Sequence, residues 1–274
     1  MKKHYFPFIL FIAVLVITII GCEEYEPEQP KTTNLIVAQF CDPQLGFGRD
    51  SFEADVARLE KAVQLVNELS PDMVLITGDM LHIATDEDVA IFLEIISHIK
   101  MPVLLTPGNH EISEPVTATK LQRYRSLFGE DFRVAECNKY CIISANSMLW
   151  RDAPCEETIR HDSLLYDALQ KAKNKEQPIL ILTHIPPFVS SIDEDDGYYN
   201  LPKAKRQELL QFFAENDVFL WLAGHTHRTS HRNYGQINIL NGETTCNNFD
   251  GRPFGFRLLT ISDKSFDWNF IALE

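Results

Sequence analysis

The stretch Leu35–Asp79, LIVAQFCDPQLGFGRDSFEADVARLEKAVQLVNELSPDMVLITGD, decides how the chain is read. LIVAQFC (35–41) is a nearly unbroken apolar run, as expected of a strand covered on both faces. A turn rich in Gly and Pro follows. FEADVARLEKAVQLVNEL (52–69) then places Val56, Leu59, Ala62, Val63 and Val66 on one face at the helical period. MVLIT (73–77) is a second buried strand. Strand, helix, strand in that order argues for parallel pairing with a crossover helix. The pattern extends outward: a helix over 87–99, a strand over 102–106, and a helix over 118–129 that stops at a glycine. Next come a hairpin over 132–147 turning at Asn138-Lys139, a helix over 162–174, a strand over 178–184, a helix over 203–216 and a strand over 218–224. Three β-like runs close the chain (235–241, 254–262 and 265–272), and with no helix between them they are expected to be antiparallel. The expected class is α/β: a four-layer α-β-β-α sandwich of two mixed sheets with helices on the outer faces, in a single domain over 34–274.

The chain has 274 residues, 45% hydrophobic and 23% charged, which suits a globular protein, and a net charge of −14. Nucleic-acid binding rests on neutralising phosphates with Lys and Arg, so no nucleic-acid partner is expected. Lys2 and Lys3 precede FILFIAVLVITII (8–20). That apolar span is shorter than the roughly 20 residues of a membrane helix and suits the core of a secretory signal. IIGC (Ile19–Cys22) resembles the end of a bacterial lipoprotein signal, in which the Cys is lipidated and becomes the new N-terminus. The expectation is therefore a signal over 1–21, a lipidated Cys22, and an acidic flexible tether over 22–33. This implies a membrane partner through the lipid, in the bacterial cell envelope. Glu23 in place of Asp after the Cys favours the outer membrane. Five Cys remain, so at least one stays unpaired if pairing is intramolecular. Cys137 and Cys141 flank the hairpin turn. None has the spacing of a zinc knuckle, and none is given a functional role.

Five strands end on residues that bind metals. The first ends at Asp42, with Gln44 two positions on; the second ends in GDM, with Asp79. The third ends in PGNHE, with Asn109, His110 and Glu111; the fourth in TH, with His184; the fifth in GHTH, with His225 and His227. Loops beyond the carboxyl ends of strands are where α/β sheets bind ligands. Each piece alone has a structural explanation, since Asp after a strand is a common turn residue. Five in order are improbable on unrelated structural grounds, and the set suits divalent ions.

The series D-x-[HQ]…GD…GNH[DE]…H…GHxH over 35–228 resembles the calcineurin-like metallophosphoesterases, with Gln44 where His is usual. The DPQ variant is similar to the first motif of a subset of animal proteins named for a calcineurin-like phosphoesterase domain. The resemblance implies a phosphoric ester hydrolase, phosphatase or phosphodiesterase, acting on a phosphorylated substrate. It implies two divalent ions (Mn, Fe or Zn, with Mg as a further choice) and a metal-bridging hydroxide as nucleophile. Asp42, Asp79 and His227 would hold one ion, with Gln44 as a weaker oxygen donor; Asp79, Asn109, His184 and His225 would hold the other. His110 would assist the leaving group, and Glu111 would orient His110. The competing reading is a non-catalytic envelope lipoprotein, derived from this family, that binds metal or phosphate.

Other residues carry weaker signals. His82 is placed either above the metals or on a surface loop, and Arg228 either at a phosphate or on plain surface. PPFVSSIDEDDGYYN (186–200) reads as a lid or specificity loop with an acidic run, Asp193 to Asp196. Phe188, Trp150, Tyr198 and Tyr199 are candidates for an aromatic wall beside a leaving group, or for packing.

Overall fold

A strand that alternates between two apolar environments must be covered on both faces, and β1 (Leu35–Phe40) does so. Leu35 and Val37 enter one apolar cluster, while Ala38 and Phe40 enter another. The computed structural model describes residues 34–48 and 50–273, so the signal, Cys22 and the tether over 22–33 lie outside the described residues. β1 is followed by α1 (Phe52–Leu69), β2 (Met73–Ile76), α2 (Asp86–Ser97), β3 (Val103–Leu105) and α3 (Ala118–Phe128). The hairpin β4 (Arg133–Cys137) and β5 (Tyr140–Ser144) comes next, then α4 (Met148–Arg151), α5 (Glu156–Asn174), β6 (Ile179–Leu182) and α6 (Lys203–Glu215). The chain continues through β7 (Val218–Ala223), β8 (Ser230–Tyr234), β9 (Ile237–Asn241), β10 (Gly255–Ser262) and β11 (Ser265–Ala272).

The strands form two mixed sheets, ordered β11-β10-β1-β2-β3 and β4-β5-β6-β7-β9-β8. Leu75, Leu180, Leu182, Leu220 and Leu222 point into the space between the sheets with Leu35 and Val37. Their sequence neighbours Val74, Ile76, Ile179, Ile181 and Trp221 belong to the outer clusters that the helices cover. This period-2 division makes four layers, as expected. α1 shows how a helix is fitted to a sheet: Ser51 Oγ caps it by accepting from Ala54 N–H at 3.2 Å, and Leu59, Ala62, Val63 and Val66 are buried. Each fully buried aliphatic side chain contributes about 1.5–3 kcal/mol.

Two expectations are corrected. The closing runs are not all antiparallel: β10 and β11 are, but β9 lies parallel to β7. The polar strand β8, exposed over most of its length, carries the chain back so that β9 runs in the same direction as β7. α5 begins six residues earlier than its apolar period indicated, because Thr158 and His161 are buried polar residues in its first turns. The five Cys of the described region are all free, Cys137 and Cys141 included.

Candidate metal centre

β1, β2 and β3 of one sheet and β6 and β7 of the other end at the same edge, so their following loops converge. Asp42, Asp79, His184, His225 and His227 are each at most 4% exposed. Donor atoms of Asp79, His184 and His225 all lie within 4.8 Å of one another. His184 Nε2 is 3.3 Å from Asp79 Oδ2 and 3.0 Å from Asn109 Oδ1. His227 Nε2 is 3.6 Å from Asp42 Oδ1, and His110 Nε2 is 3.9 Å from Asp79 Oδ2. The Asp42–His227 group and the Asn109–His184–His225 group thus meet near Asp79.

Every imidazole here is held by one ring nitrogen on a backbone carbonyl. His184 Nδ1–H donates to Thr77 O at 2.8 Å, and His225 Nε2–H to Tyr198 O at 2.8 Å. His227 Nδ1–H donates to Asn247 O at 2.6 Å, and His110 Nδ1–H to His82 O at 2.7 Å. Each bond fixes which ring nitrogen keeps its hydrogen and leaves the other free to take a metal ion or a proton. The oxygen side is also prepared. Gln44 is 2% exposed, its N–H donates to Asp79 O at 2.8 Å, and its buried Oε1 has no partner. The donor set of carboxylates, imidazoles and amide oxygens therefore fits divalent ions.

The charges agree. Burial alone would raise Asp79, but His184, His110 and His225 outweigh it and hold the carboxyl well below its usual range. Burial likewise opposes protonation of His184, yet Asp79 and Asp42 pull it up to about 9. Burial and the negative Asp79 push Asp42 up to about 8. Burial pushes His225 down to about 3 and His227 to about 4. The side chains alone thus balance Asp79 with a proton on His184, in the place where a cation would carry the charge and release that proton.

The backbone is bent to make this arrangement. Asp42, Gln44, Asp79, His225 and His227 have φ of 46°, 34°, 49°, 67° and 50°. Such conformations cost on the order of 1–3 kcal/mol each and persist only where the surroundings enforce them. Two glycines allow the approach of the loops. A Cβ on Gly224 would lie 2.5 Å from Asp42 Oδ2, and one on Gly108 would collide with Asp79 Oδ1. α1 reaches back to hold the Gln44 turn, where Asp55 Oδ2 accepts from Gly46 N–H and Gly48 N–H, both at 2.9 Å.

Glu111 does not orient His110. Its carboxylate accepts from the N–H groups of Asp79, Met80, Leu81 and Gly108 at 2.9–3.3 Å, and so ties the GD turn to the GNHE turn. Burial and Asp79 push it up to about 7. His82 supplies the carbonyl that orients His110. Its ring lines the cavity and lies 5.0 Å from that of His110. Arg228 is exposed. Phe188 and Trp150 are core residues, 4% and 2% exposed. Tyr198 and Tyr199 do line the cavity of about 300 Å³ over the site, together with Phe47 and Phe249, which the sequence reading missed. An aromatic residue inside a Gly- or Asn-rich turn, GFG or NNFDG, is the signal that marks them. The carbonyls of Thr77, His82, Tyr198 and Asn247 have no such signal, because any residue supplies one.

The family model for calcineurin-like phosphoesterases matches residues 42–229. The chain belongs to that family. It is 25% identical over 258 residues to human serine/threonine-protein phosphatase CPPED1, covering 85% of this chain and 82% of that protein. It is also 25% identical over 209 residues to a probable cyclic nucleotide phosphodiesterase of Vesicomyosocius okutanii, covering 75% and 84%. A zebrafish (Danio rerio) dimetal phosphatase structure superposes with a TM-score of 0.61 at 13% identity, over 88% of this chain and 99% of that one. The family consists of hydrolytic, metal-dependent phosphoesterases, so this calcineurin-like phosphoesterase is an enzyme.

Proposed function

We propose that the protein hydrolyses phosphoric esters at a dinuclear centre, with Asp79 shared by both ions. Asp42, Gln44 and His227 complete one set of ligands, and Asn109, His184 and His225 the other. The observation that carries this reading is the set of carbonyl-held imidazoles, each with its second nitrogen turned to the carboxylates. When bound, two divalent ions supply positive charge for the phosphoryl oxygens and activate a water for attack. The remaining work falls to the side chains. Asp79 accepts His110 N–H at 3.0 Å and so places that loop against the centre. His110 Nδ1–H stays on His82 O, which leaves Nε2 to carry the proton given to the departing oxygen. Glu111 keeps Asp79 and Asn109 in register by joining their two turns.

The printed names of its relatives include a protein phosphatase and a phosphodiesterase, and both chemistries use the same ligands. The test is to load the full chain, in detergent, with Mn, Fe, Zn or Mg, to count bound ions, and to assay phosphomonoesters and diesters. Two ions per chain with turnover is the expected result. Full occupancy without turnover under any metal would instead favour a binding protein. His110→Ala should keep both ions and lower kcat by about 10²–10⁴-fold, the usual contribution of acid–base catalysis. Wild-type kcat on an ester with a poor leaving group would remove His110 from the mechanism.

The N-terminal motif supports anchoring through a lipid on Cys22 in a bacterial envelope, favouring the outer membrane, ahead of a tether over 22–33 and the enzyme domain. Incorporation of labelled fatty acid that is lost in Cys22→Ala tests this. Label retained in the variant would refute it.

A further inference from the structure

The mouth of the centre is walled by rings, and among the described residues that line it there is no cation. On the His227 side, Phe249 stacks on His227 with centroids 4.6 Å apart and planes at 16°, and Phe47 stacks on His82 at 5.0 Å and 28°. On the His225 side, Tyr198 and Tyr199 lie 4.8 and 5.6 Å from the His225 ring and are 58% and 36% exposed. Among the described residues, no Lys or Arg lines the cavity. The nearby Arg151 is committed to the carbonyls of Gly197, Tyr198 and Asn200 and to Glu114. The acidic run Asp193–Asp196 belongs to the loop that carries the two tyrosines. The volume of about 300 Å³ is at the low end of the range for small-molecule sites.

From this we infer that the natural substrate is a phosphoester with a small, planar, uncharged leaving group, an aryl or heteroaryl ester, and not a polyphosphate or an acidic sugar phosphate. The inference rests on the phosphoesterase reading and adds the substrate class. The phosphoryl group needs no protein cation, because the ions hold it. A second anionic group would find no partner among the described residues that line the cavity. Planar groups find faces instead. Each stacked or edge-on pair contributes enough for a several-fold gain in affinity, so two rings together give about tenfold. Two of the four wall rings have no aliphatic residue's reason for being there: Tyr198 and Tyr199 are large aromatics held at the surface, beside the reacting centre.

The experiment avoids leaving-group chemistry by using phosphonates. Inorganic phosphate, phenylphosphonate, propylphosphonate and 3-phosphonopropionate are titrated calorimetrically into the manganese-loaded full chain in detergent. Phenylphosphonate should bind at least about tenfold tighter than propylphosphonate, and 3-phosphonopropionate weakest. Tyr199→Ala, and separately Phe249→Leu, should each cut the phenyl-to-propyl ratio several-fold. An equal or inverted order in the wild type overturns the inference. So does a ratio unchanged in both variants, which would assign the rings to holding histidines alone. Failure of inorganic phosphate to bind would strike the phosphoesterase reading itself, and the inference with it; phosphate binding without phenyl preference strikes only the inference.

Discussion

The space between the two sheets has two ends, and β1 and β10 show how they differ. Their pairs on the inward face run Leu35↔Ile261, Val37↔Leu259, then Gln39↔Arg257. The first two pairs join Leu104, Leu180, Leu220 and Leu222 in a dry aliphatic layer. The third is polar and equally buried: Gln39, Arg257 and the neighbouring Glu243 are all 0% exposed. Gln39 Nε2 donates to Ala223 O at 3.2 Å, and so crosses from one sheet to the other. Arg257 Nη2 donates to Asn241 O at 2.7 Å, its Nε lies 3.3 Å from Glu243 Oε2, and Thr229 Oγ1 donates to Glu243 Oε1 at 3.0 Å. Three residues on from Gln39, just beyond β1, lies Asp42. The aliphatic end holds the sheets together without direction. The polar end holds them in register, directly beneath the GHTH loop, where angles matter.

Four measurements sharpen or break that comparison. The largest effect is expected from Glu243→Gln, which leaves Arg257 buried without its charge partner and should cost about 3–5 kcal/mol in urea unfolding. It should also weaken metal binding, because the amide keeps a single acceptor oxygen where Arg257 and Thr229 each had one, and Thr229 lies beside His227. Unaltered metal affinity would mean that the polar end serves stability alone. Leu220→Ala at the aliphatic end should cost about 2–5 kcal/mol, with kcat and metal content unchanged below the transition. Loss of metal in that variant would erase the distinction between the ends. Gln44→His replaces an oxygen donor with an imidazole and should tighten metal binding on the order of tenfold, most for Zn. Isothermal titration reads this, and unchanged affinity would place residue 44 away from the ion.

The smallest effect concerns Glu194, whose carboxylate organises the loop over the site. Burial opposes its ionisation, but hydrogen bonds from Ser190, Asn200 and Val189 outweigh this and hold it down at about 2. A folded value below the ordinary 4.5 means that its support is complete above about pH 4.5 and fades as pH falls toward 2. Because the group is only partly buried, screening keeps the effect modest. Pepsin cleavage within 189–200 should rise through that window, and Glu194→Ala should be cut already at pH 5. Identical cleavage of the two proteins at pH 5 would show that the loop is held otherwise.

The layered fold was legible because LIVAQFC, MVLIT and PILILTH are strongly apolar and the helices between them are periodic. β8 was not legible: SHRNY has no buried side chain and leaves no apolar trace, and without it the direction of β9 was misread. The candidate ligands could be found because each follows a strand and carries a side chain with one chemistry. The role of Glu111 could not, since a carboxylate spent on four backbone N–H groups reads in sequence like one aimed at an imidazole. The polar end was hidden for a similar reason. Gln39 sits unremarked in an apolar run, and Arg257 lies 218 positions away in sequence, on a strand whose pairing only the fold reveals.

Tyr198 gives its ring to the cavity and its carbonyl to His225 Nε2–H. The loop therefore cannot swing outward to admit a larger molecule without taking away the bond that keeps His225 in its tautomer. With His225 as a ligand, as proposed, admission and ion retention would become one equilibrium. If His225 holds an ion as proposed, an oversized ester would be discriminated against twice, once by lack of room and again because the opening that would seat it would loosen that ion. Selectivity by size should consequently fall off more steeply than volume alone predicts, and excess metal in solution should relax it.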